Sequence, residues 1–105
     1  MTSPNAKLLA ALLVVSAAAP ALAAQVDQRE ANQQARIAEG RQSGQLTNHE
    51  TGRLERKDAR IHRQVRYDRA ANHGHLSRAE RRHVNREQNR VSRQIYRAKH
   101  NARHV

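Results

Sequence analysis

Residues 43–50 read SGQLTNHE and residues 73–80 read HGHLSRAE. Glycine, leucine, a hydroxyl residue and glutamate recur at the same offsets, 30 residues apart. Glycine permits a sharp backbone turn, and Thr or Ser three residues before Glu forms a capping box that starts a helix. Each stretch therefore predicts a turn followed by a new helix, and the repeat predicts units built on one template. The recurring residues are Gly44, Leu46, Thr47 and Glu50 in the first copy and Gly74, Leu76, Ser77 and Glu80 in the second.

Apolar residues after each turn recur at helical spacing. A second helix is expected from the N-cap Thr47 to about Ala71, with one apolar stripe through Leu54, Ile61 and Val65. A third is expected from the N-cap Ser77, and its last turn carries Lys99, His100 and Arg103. Its stripe runs through Val84, Gln88, Val91, Ile95, Ala98 and Ala102. The pattern thus divides the chain into repeats at about 31–60 and 61–90, followed by a helical C-terminal tail.

A weaker first helix is expected over about residues 26–39. Its apolar residues are few, namely Val26, Ala31, Ala35, Ile37 and Ala38, and Gly40 is placed to end it. No segment has the alternation or the β-branched content of a strand. The sequence therefore predicts an all-α fold of about three helices joined by two turns.

The first 24 residues have the layout of a secretory signal peptide. Lys7 precedes the run 8–19, in which Ser16 is the only polar residue, and Pro20 is followed by the small residues Ala21, Ala23 and Ala24. The apolar run is too short for a transmembrane span, and without cysteine there is no lipoprotein anchor. We therefore expect a signal-peptide helix that is cleaved after Ala23 or Ala24, export to the periplasm, and one small domain of about three helices over 25–105.

The composition is strongly basic and poor in large apolar side chains. The chain has 20 Lys and Arg against 9 Asp and Glu, with a formal net charge of +11. Arginine forks suit phosphates and carboxylates, so the excess favours acidic partners. Leu, Ile and Val supply 11 of the residues in 25–105, which lack Phe, Trp, Met and Cys. Such a supply is below about 20%, so a polycation that is disordered until bound is one alternative.

Both turns resemble the calcium loop of an EF-hand. Residues 39–50 and 69–80 each span twelve positions, with Gly sixth, Leu eighth and Glu twelfth. The resemblance implies helix-loop-helix units, paired through Leu46 and Leu76.

The ligand positions of these loops depart from the EF-hand pattern. Positions 1, 3 and 5 hold Glu39, Arg41 and Ser43 in the first loop, and Arg69, Ala71 and His73 in the second. A hard cation needs several oxygens there, and the arginines bring positive charge instead. The loops are therefore interpreted as degenerate, binding no calcium, and Glu50 and Glu80 as capping-box carboxylates.

The C-terminal stretch 90–101, RVSRQIYRAKHN, and the turn 43–47, SGQLT, give a second resemblance. They are similar to segments of an uncharacterised family of small exported proteobacterial proteins that carry a signal peptide and two such repeats. The resemblance implies export and an all-helical fold.

The seven histidines suggest a second alternative function, a periplasmic site for a transition metal such as Zn, Cu or Ni. His100 and His104 are four residues apart, a chelating spacing on a helix. The candidate ligands are His73, His75, His83, His100 and His104.

The leading functional prediction is a non-enzymatic exported binding or stress-associated protein whose partner is a polyanion or an acidic protein. Arg-rich helix faces would contact it electrostatically. Only Tyr67 and Tyr96 are aromatic, and no nucleic-acid-binding motif is visible. Without cysteine or an oriented nucleophile and base, the residues do not predict an enzyme or a resident cofactor.

Overall fold

Three helices make up the computed structural model, which describes the backbone of residues 4–101 and the side chains of residues 23–101. They are α1 (Pro4–Ser43), α2 (Asn48–Ala71) and α3 (Arg78–Lys99). Residues 4–101 contain no strand, so the predicted all-α class is confirmed. No helix in the described part is long and apolar enough to cross a membrane.

Helices α1 and α2 are antiparallel. Asp27, early in the part of α1 that packs, pairs with Arg69 at the end of α2, with Oδ1 and Nη1 2.9 Å apart. Further along α1, Glu30 pairs with His62, earlier in α2, with Oε1 and Nδ1 2.7 Å apart. The two helices therefore run in opposite directions past each other.

Helix α3 runs parallel to α1 and completes a three-helix bundle. Arg29 donates to Asn85 Oδ1 at 2.6 Å, and Arg36 donates to Ser92 Oγ at 2.8 Å. The partners advance together along both helices, which fixes the parallel direction. Each helix contacts both others.

The first turn follows Ser43, which corrects the prediction that Gly40 ends the first helix. Gly44 adopts φ 77°, and its N–H donates to Arg41 O at 3.2 Å. The Leu46 N–H donates to Gly40 O at 2.9 Å. These bonds satisfy carbonyls at the end of α1, and a positive φ costs glycine little, so Gly44 ends the helix.

The second turn is longer than the first although the two sequences align. His73 has φ 55° and Gly74 has φ 88°. The Gly74 N–H donates to Arg69 O at 2.6 Å, the bond that closes a Schellman motif. Because α2 already ends at Ala71, two left-handed residues follow it instead of one.

Both capping boxes form. Thr47 Oγ1 accepts from the Glu50 N–H at 3.1 Å, and the Thr47 N–H donates to Glu50 Oε1 at 3.0 Å. Ser77 and Glu80 make the same pair of bonds at 3.1 and 2.8 Å. The Ser77 hydrogen bonds lower the pKa of Glu80. The ionised Glu80 carboxylate therefore stabilises the fold above the pKa that it has in the unfolded chain. This stabilisation is lost as the pH falls through its lower pKa in the folded state.

Removing the first cap should lower stability measurably. Thr47→Ala is expected to reduce the free energy of unfolding by about 1 kcal/mol, because the Glu50 N–H loses its acceptor. Urea denaturation followed by circular dichroism measures this loss. Asn48→Ala, one residue later on the exposed side of α2, is the control and should leave stability nearly unchanged. Equal stability of the two variants would contradict a working capping box.

The core combines a small apolar cluster with buried polar side chains. The stripes predicted for α2 and α3 are buried from Leu54 to Val65 and from Val84 to Ile95. The buried apolar residues are Ile37, Leu46, Leu54, Ile61, Val65, Val84, Val91 and Ile95. The buried polar residues are Glu30, Gln33, Thr51, Asp58, Asp68, Gln88 and Lys99.

Helix α1 differs from its prediction in extent and in face. It begins at Pro4 rather than near Val26, and the alanines at 31, 35 and 38 are exposed. Its buried residues are Glu30, Gln33, Ile37 and Gly40, which precede the buried residues of α2 by 28 positions rather than 30. The alanines expected among the apolar residues of the first helix therefore do not form its buried face. The predicted signal peptide, 1–24, lies mostly among residues whose side chains are not described, and its cleavage stays a prediction.

The two turns lie at opposite ends of the bundle. Leu46 is 1% exposed, and a Cβ built on Gly40 would approach it and Lys99, at the end of α3. Leu76 packs more loosely against the core at the far end of α2. Since α2 has 24 residues, about 36 Å separates the turns, and the expected pairing of Leu46 with Leu76 is wrong. Helix α3 ends at Lys99, with His100 as its C-cap, about one turn before the predicted end.

Candidate polyanion-binding surface

Most carboxylates of the bundle have internal partners. Asp68 accepts from Gln64 at 2.9 Å, and Glu87 pairs with Arg90 at 3.2 Å. Glu39 lies 4.0 Å from Lys99 Nζ. Asp27 and Glu30 make the interhelical pairs already described, while Glu50 and Glu80 serve the caps. Within the described part, Arg69 and Arg90 are the arginines that form ion pairs with these carboxylates, so most exposed arginines have no acidic partner.

A basic groove runs between α2 and α3, and we name it the α2/α3 groove. It consists of two adjoining cavities of about 310 Å³ each, which share Lys57 and Gln94. Its cationic lining comes from both helices: Arg53, Lys57 and Arg60 from α2, and Arg90 and Arg97 from α3. Glu50 and Glu87 are the acidic residues in this lining, and both already have partners.

Helical spacing places these cations in rows beside the apolar stripes. Arg53, Lys57 and Arg60 are separated by four and three residues, so they share one side of α2. Leu54 and Ile61 are their buried neighbours and hold that side against α3. Arg53 and Arg97 line one end of the groove, whereas Arg60 and Arg90 line its continuation about 10 Å away.

A second basic cavity lies between α1 and α3, and we name it the arginine pocket. It measures about 350 Å³ and is lined by Arg29, Arg78, Arg81 and Arg82, with no carboxylate in its lining. The neutral lining residues are Gln25, Val26, Asn85 and Gln88. This pocket concentrates more arginine than either half of the α2/α3 groove.

The groove between α1 and α2 has the opposite character. Glu55 and Asp58 line it together with Gln34, Ile37, Ala38 and Ala59, and no Lys or Arg contributes to this lining. Asp58 is 2% exposed, and neither of its oxygens has a partner within hydrogen-bonding geometry in the described part. Burial raises the pKa of Asp58, and Glu30 adds to the rise, while Gln34 and His62 oppose it. Charge is therefore segregated among the three grooves of the bundle.

The candidate metal-ligating histidines are spread over the molecule. His73 and His75 lie exposed on the second turn, and His83 lines the α2/α3 groove. His100 caps α3 at the other end, where its ring stacks on Tyr96 with centroids 4.0 Å apart. His104 lies outside the described residues. Within the described part, no three His, Asp or Glu side chains are arranged to hold a metal ion.

Sequence reasoning identified arginine-rich faces but missed the arginine pocket and the Glu30–His62 pair. The signal for the pocket was present, because Arg78, Arg81 and Arg82 crowd the first turns of the third helix. The contribution of Arg29 depends on the parallel packing of α1 on α3, which no local pattern reveals.

Comparisons of this chain with protein-family models, curated proteins and solved structures find no match. The argument for function therefore rests on the three grooves and their charges.

Proposed function

We propose that this chain is a non-enzymatic, exported binding protein that holds a polyanionic or acidic partner in the α2/α3 groove. The observation that carries the proposal is the convergence of five cationic side chains from two helices on one continuous groove. Glu87 pairs with Arg90, one of the five, whereas the other four cations form no ion pair within the described part, so their charge is available to a partner.

The geometry of the groove suits a linear anion better than a single small one. Successive cations along α2 lie about one helical turn apart, which is about 5 Å. Arginines on α3 face them across the groove, so anionic groups along a chain would meet guanidinium groups on both sides. Sulfate, phosphate and carboxylate are all matched by the planar guanidinium fork.

The proposal assigns binding rather than catalysis because of what the acidic residues do. Most carboxylates act in caps and pairs, such as Glu80 with Ser77 and Glu87 with Arg90, and Asp58 is buried away from solvent. The chain contains no cysteine nucleophile. The degenerate EF-hand-like turns serve, in this proposal, as scaffold that sets the helices side by side.

Export to the periplasm remains part of the proposal and rests on the signal-peptide layout of residues 1–24. In that compartment the polyanions would be acidic envelope components or acidic proteins. The proposal does not depend on which of these is present, since the groove recognises closely spaced anionic groups.

Substitution in the groove should weaken polyanion binding selectively. The triple variant Arg53→Gln, Arg60→Gln, Arg97→Gln is expected to lose about tenfold to hundredfold affinity for a heparin oligosaccharide at about 0.15 M salt, because three ionic contacts are removed. Isothermal titration calorimetry measures this change. The slope of log affinity against log salt should also become shallower.

The matched control removes the same charge elsewhere. Arg56, Arg63 and Arg86 are exposed and lie outside the groove lining, so their triple replacement by Gln should cost only a few-fold in affinity. Equal losses in the two triple variants would mean that net charge alone governs binding, and the groove would have no special part. Absence of binding by the unsubstituted chain at this salt would overturn the proposal.

A further inference from the structure

The arginine pocket differs from the α2/α3 groove in having one cation that hydrogen bonds hold in place. Arg29 reaches from α1 to α3, where Nη1 donates to Asn85 Oδ1 at 2.6 Å and Nη2 donates to Asn89 Oδ1. Both acceptors are neutral amide oxygens, so the guanidinium is held in place while its charge stays uncompensated. Holding a cation still without neutralising it is how a protein pre-organises an anion site.

The other three arginines of the pocket converge from one side of α3. Arg81 and Arg82 lie three and four residues after Arg78, so the three arginines share one face of α3. Asn85 lies on the same face one turn later. Arg78 and Arg82 are exposed, whereas Arg81 is half-buried, and its Nε is buried without a hydrogen-bond partner in the described part. The cluster therefore has an unsatisfied donor as well as unpaired charge.

This placement is unfavourable for the helix by itself. The first turns of an α-helix carry the positive end of its dipole, where acidic side chains are favoured and basic ones are not. Like charges three or four residues apart also repel each other. Glu80 is the acidic residue in the first turn of α3, so a single negative charge lies there against three arginines. Charge repulsion that neighbouring residues do not fully offset is typical of a functional site.

We propose that the arginine pocket binds a phosphate monoester, with Arg29 as the fixed donor and Arg78, Arg81 and Arg82 closing around the phosphate. A dianionic phosphate would offset part of the positive charge of the cluster and accept from several guanidinium forks at once. At about 350 Å³ the cavity exceeds a bare phosphate, and Val26 supplies an apolar wall beside the arginines. The cavity therefore has room for a phosphorylated small molecule or a lipid headgroup as well as for the phosphate itself.

The site is separate from the polyanion groove of the proposed function. Arg29, Arg78, Arg81 and Arg82 line the α1/α3 side, and none of them lines the α2/α3 groove. Either site can therefore fail without the other.

Calorimetric titration of the full chain with glycerol 3-phosphate at about 0.15 M salt tests the proposal. We expect saturable binding of one equivalent and a rise in the melting temperature. The double variant Arg78→Gln, Arg82→Gln should weaken binding at least tenfold, since both side chains are exposed and their loss leaves the fold intact. The control Arg53→Gln, Arg97→Gln removes equal charge from the other groove and should change affinity less than twofold.

A second arm of the experiment separates a soluble from a lipid source. Sedimentation with phosphatidylcholine vesicles containing phosphatidic acid, a monoester, is compared with vesicles containing phosphatidylglycerol, a diester. Preference for phosphatidic acid that the Arg78/Arg82 double variant loses would support the site and assign it to a lipid headgroup. Saturable glycerol 3-phosphate binding without that preference would support the site and assign it to a soluble ligand.

Two results would overturn the inference. One is the absence of saturable binding in both arms, and the other is an equal loss of binding in the two double variants. If heparin binding and its dependence on the α2/α3 groove persisted in that case, the proposed function would stand while this inference fell.

Discussion

Gly40→Ala is expected to destabilise the bundle by about 1–2 kcal/mol, although alanine is the better helix former. A Cβ built on Gly40 lies 2.7 Å from both Cγ and Cδ1 of Leu46 and 2.9 Å from Lys99 Cε. Leu46 is 1% exposed and cannot move aside without disturbing the core. The clash should therefore outweigh the gain of about 1 kcal/mol in helix propensity. Urea denaturation monitored by circular dichroism gives the free energy of unfolding.

Gly52→Ala is the matched control, because Gly52 is also inside a helix. Its added Cβ would meet only Arg56 Nη1, at 3.3 Å, and that flexible end can shift. We expect stabilisation by about 0.5–1 kcal/mol from propensity alone. If Gly40→Ala stabilised the chain as much as Gly52→Ala, this result would contradict the close packing of Leu46 against Gly40.

Asp58→Asn is expected to stabilise the protein at neutral pH by on the order of 1 kcal/mol. Asp58 is buried beside Glu30, and burial raises the pKa of Asp58 above its unfolded value of 3.8. A raised carboxyl pKa means that the folded state binds the proton more tightly than the unfolded state does. Below the unfolded pKa, the protonated Asp58 therefore does not lower the stability of the fold through its charge. As the pH rises through the folded pKa, the side chain ionises and the free energy of unfolding falls.

The pH dependence of this variant distinguishes a buried charge from simple repacking. The advantage of Asp58→Asn over the unsubstituted chain should be small below about pH 4 and should grow as the pH rises toward neutrality. Because only the difference between two chains is measured, contributions from groups far from Asp58 cancel. Glu55→Gln, an exposed change in the same groove, should alter stability by less than about 0.5 kcal/mol. Destabilisation by Asp58→Asn at neutral pH would contradict an unpaired carboxylate.

The sequence predicted α2 and α3 well because their large apolar residues define one face each. Ile61 and Val65 in α2, and Val91 and Ile95 in α3, recur at spacings that only one helical face can bury. The two capping boxes then set where these helices begin. Burial of large side chains and local hydrogen bonds are both readable from short stretches of sequence.

Helix α1 could not be predicted in the same way because its buried face is largely polar. Alanine gains little by burial, so Ala31 and Ala35 did not determine which side packs. The orientation follows instead from Ile37 and from polar partners on other helices: Glu30 meets His62, and Gln33 donates to Gln88 O at 2.6 Å. Those partners are 32 and 55 residues away, and only the assembled bundle reveals them.

The sequence predicted that the candidate surfaces would be basic, but it did not predict which arginines would come together to form them. An excess of arginine indicated acidic partners, since the chain offers far more cations than its acids can pair. Which arginines converge depends on helix direction. The parallel packing of α1 and α3 brings Arg29 to Arg81, while the antiparallel packing of α2 and α3 brings Arg53 to Arg97.

A residue-resolved titration with a polyanion tests the segregation of charge most directly. The full chain, labelled with ¹⁵N, is titrated with a heparin oligosaccharide at about 0.15 M salt and followed by heteronuclear NMR. We predict saturable shift changes concentrated at the α2/α3 groove, at Arg53, Lys57 and Arg97, while Ala38 and Ala59 in the acidic α1/α2 groove stay unchanged. Shifts spread evenly over all three helices, or no shifts at this salt, would contradict the account.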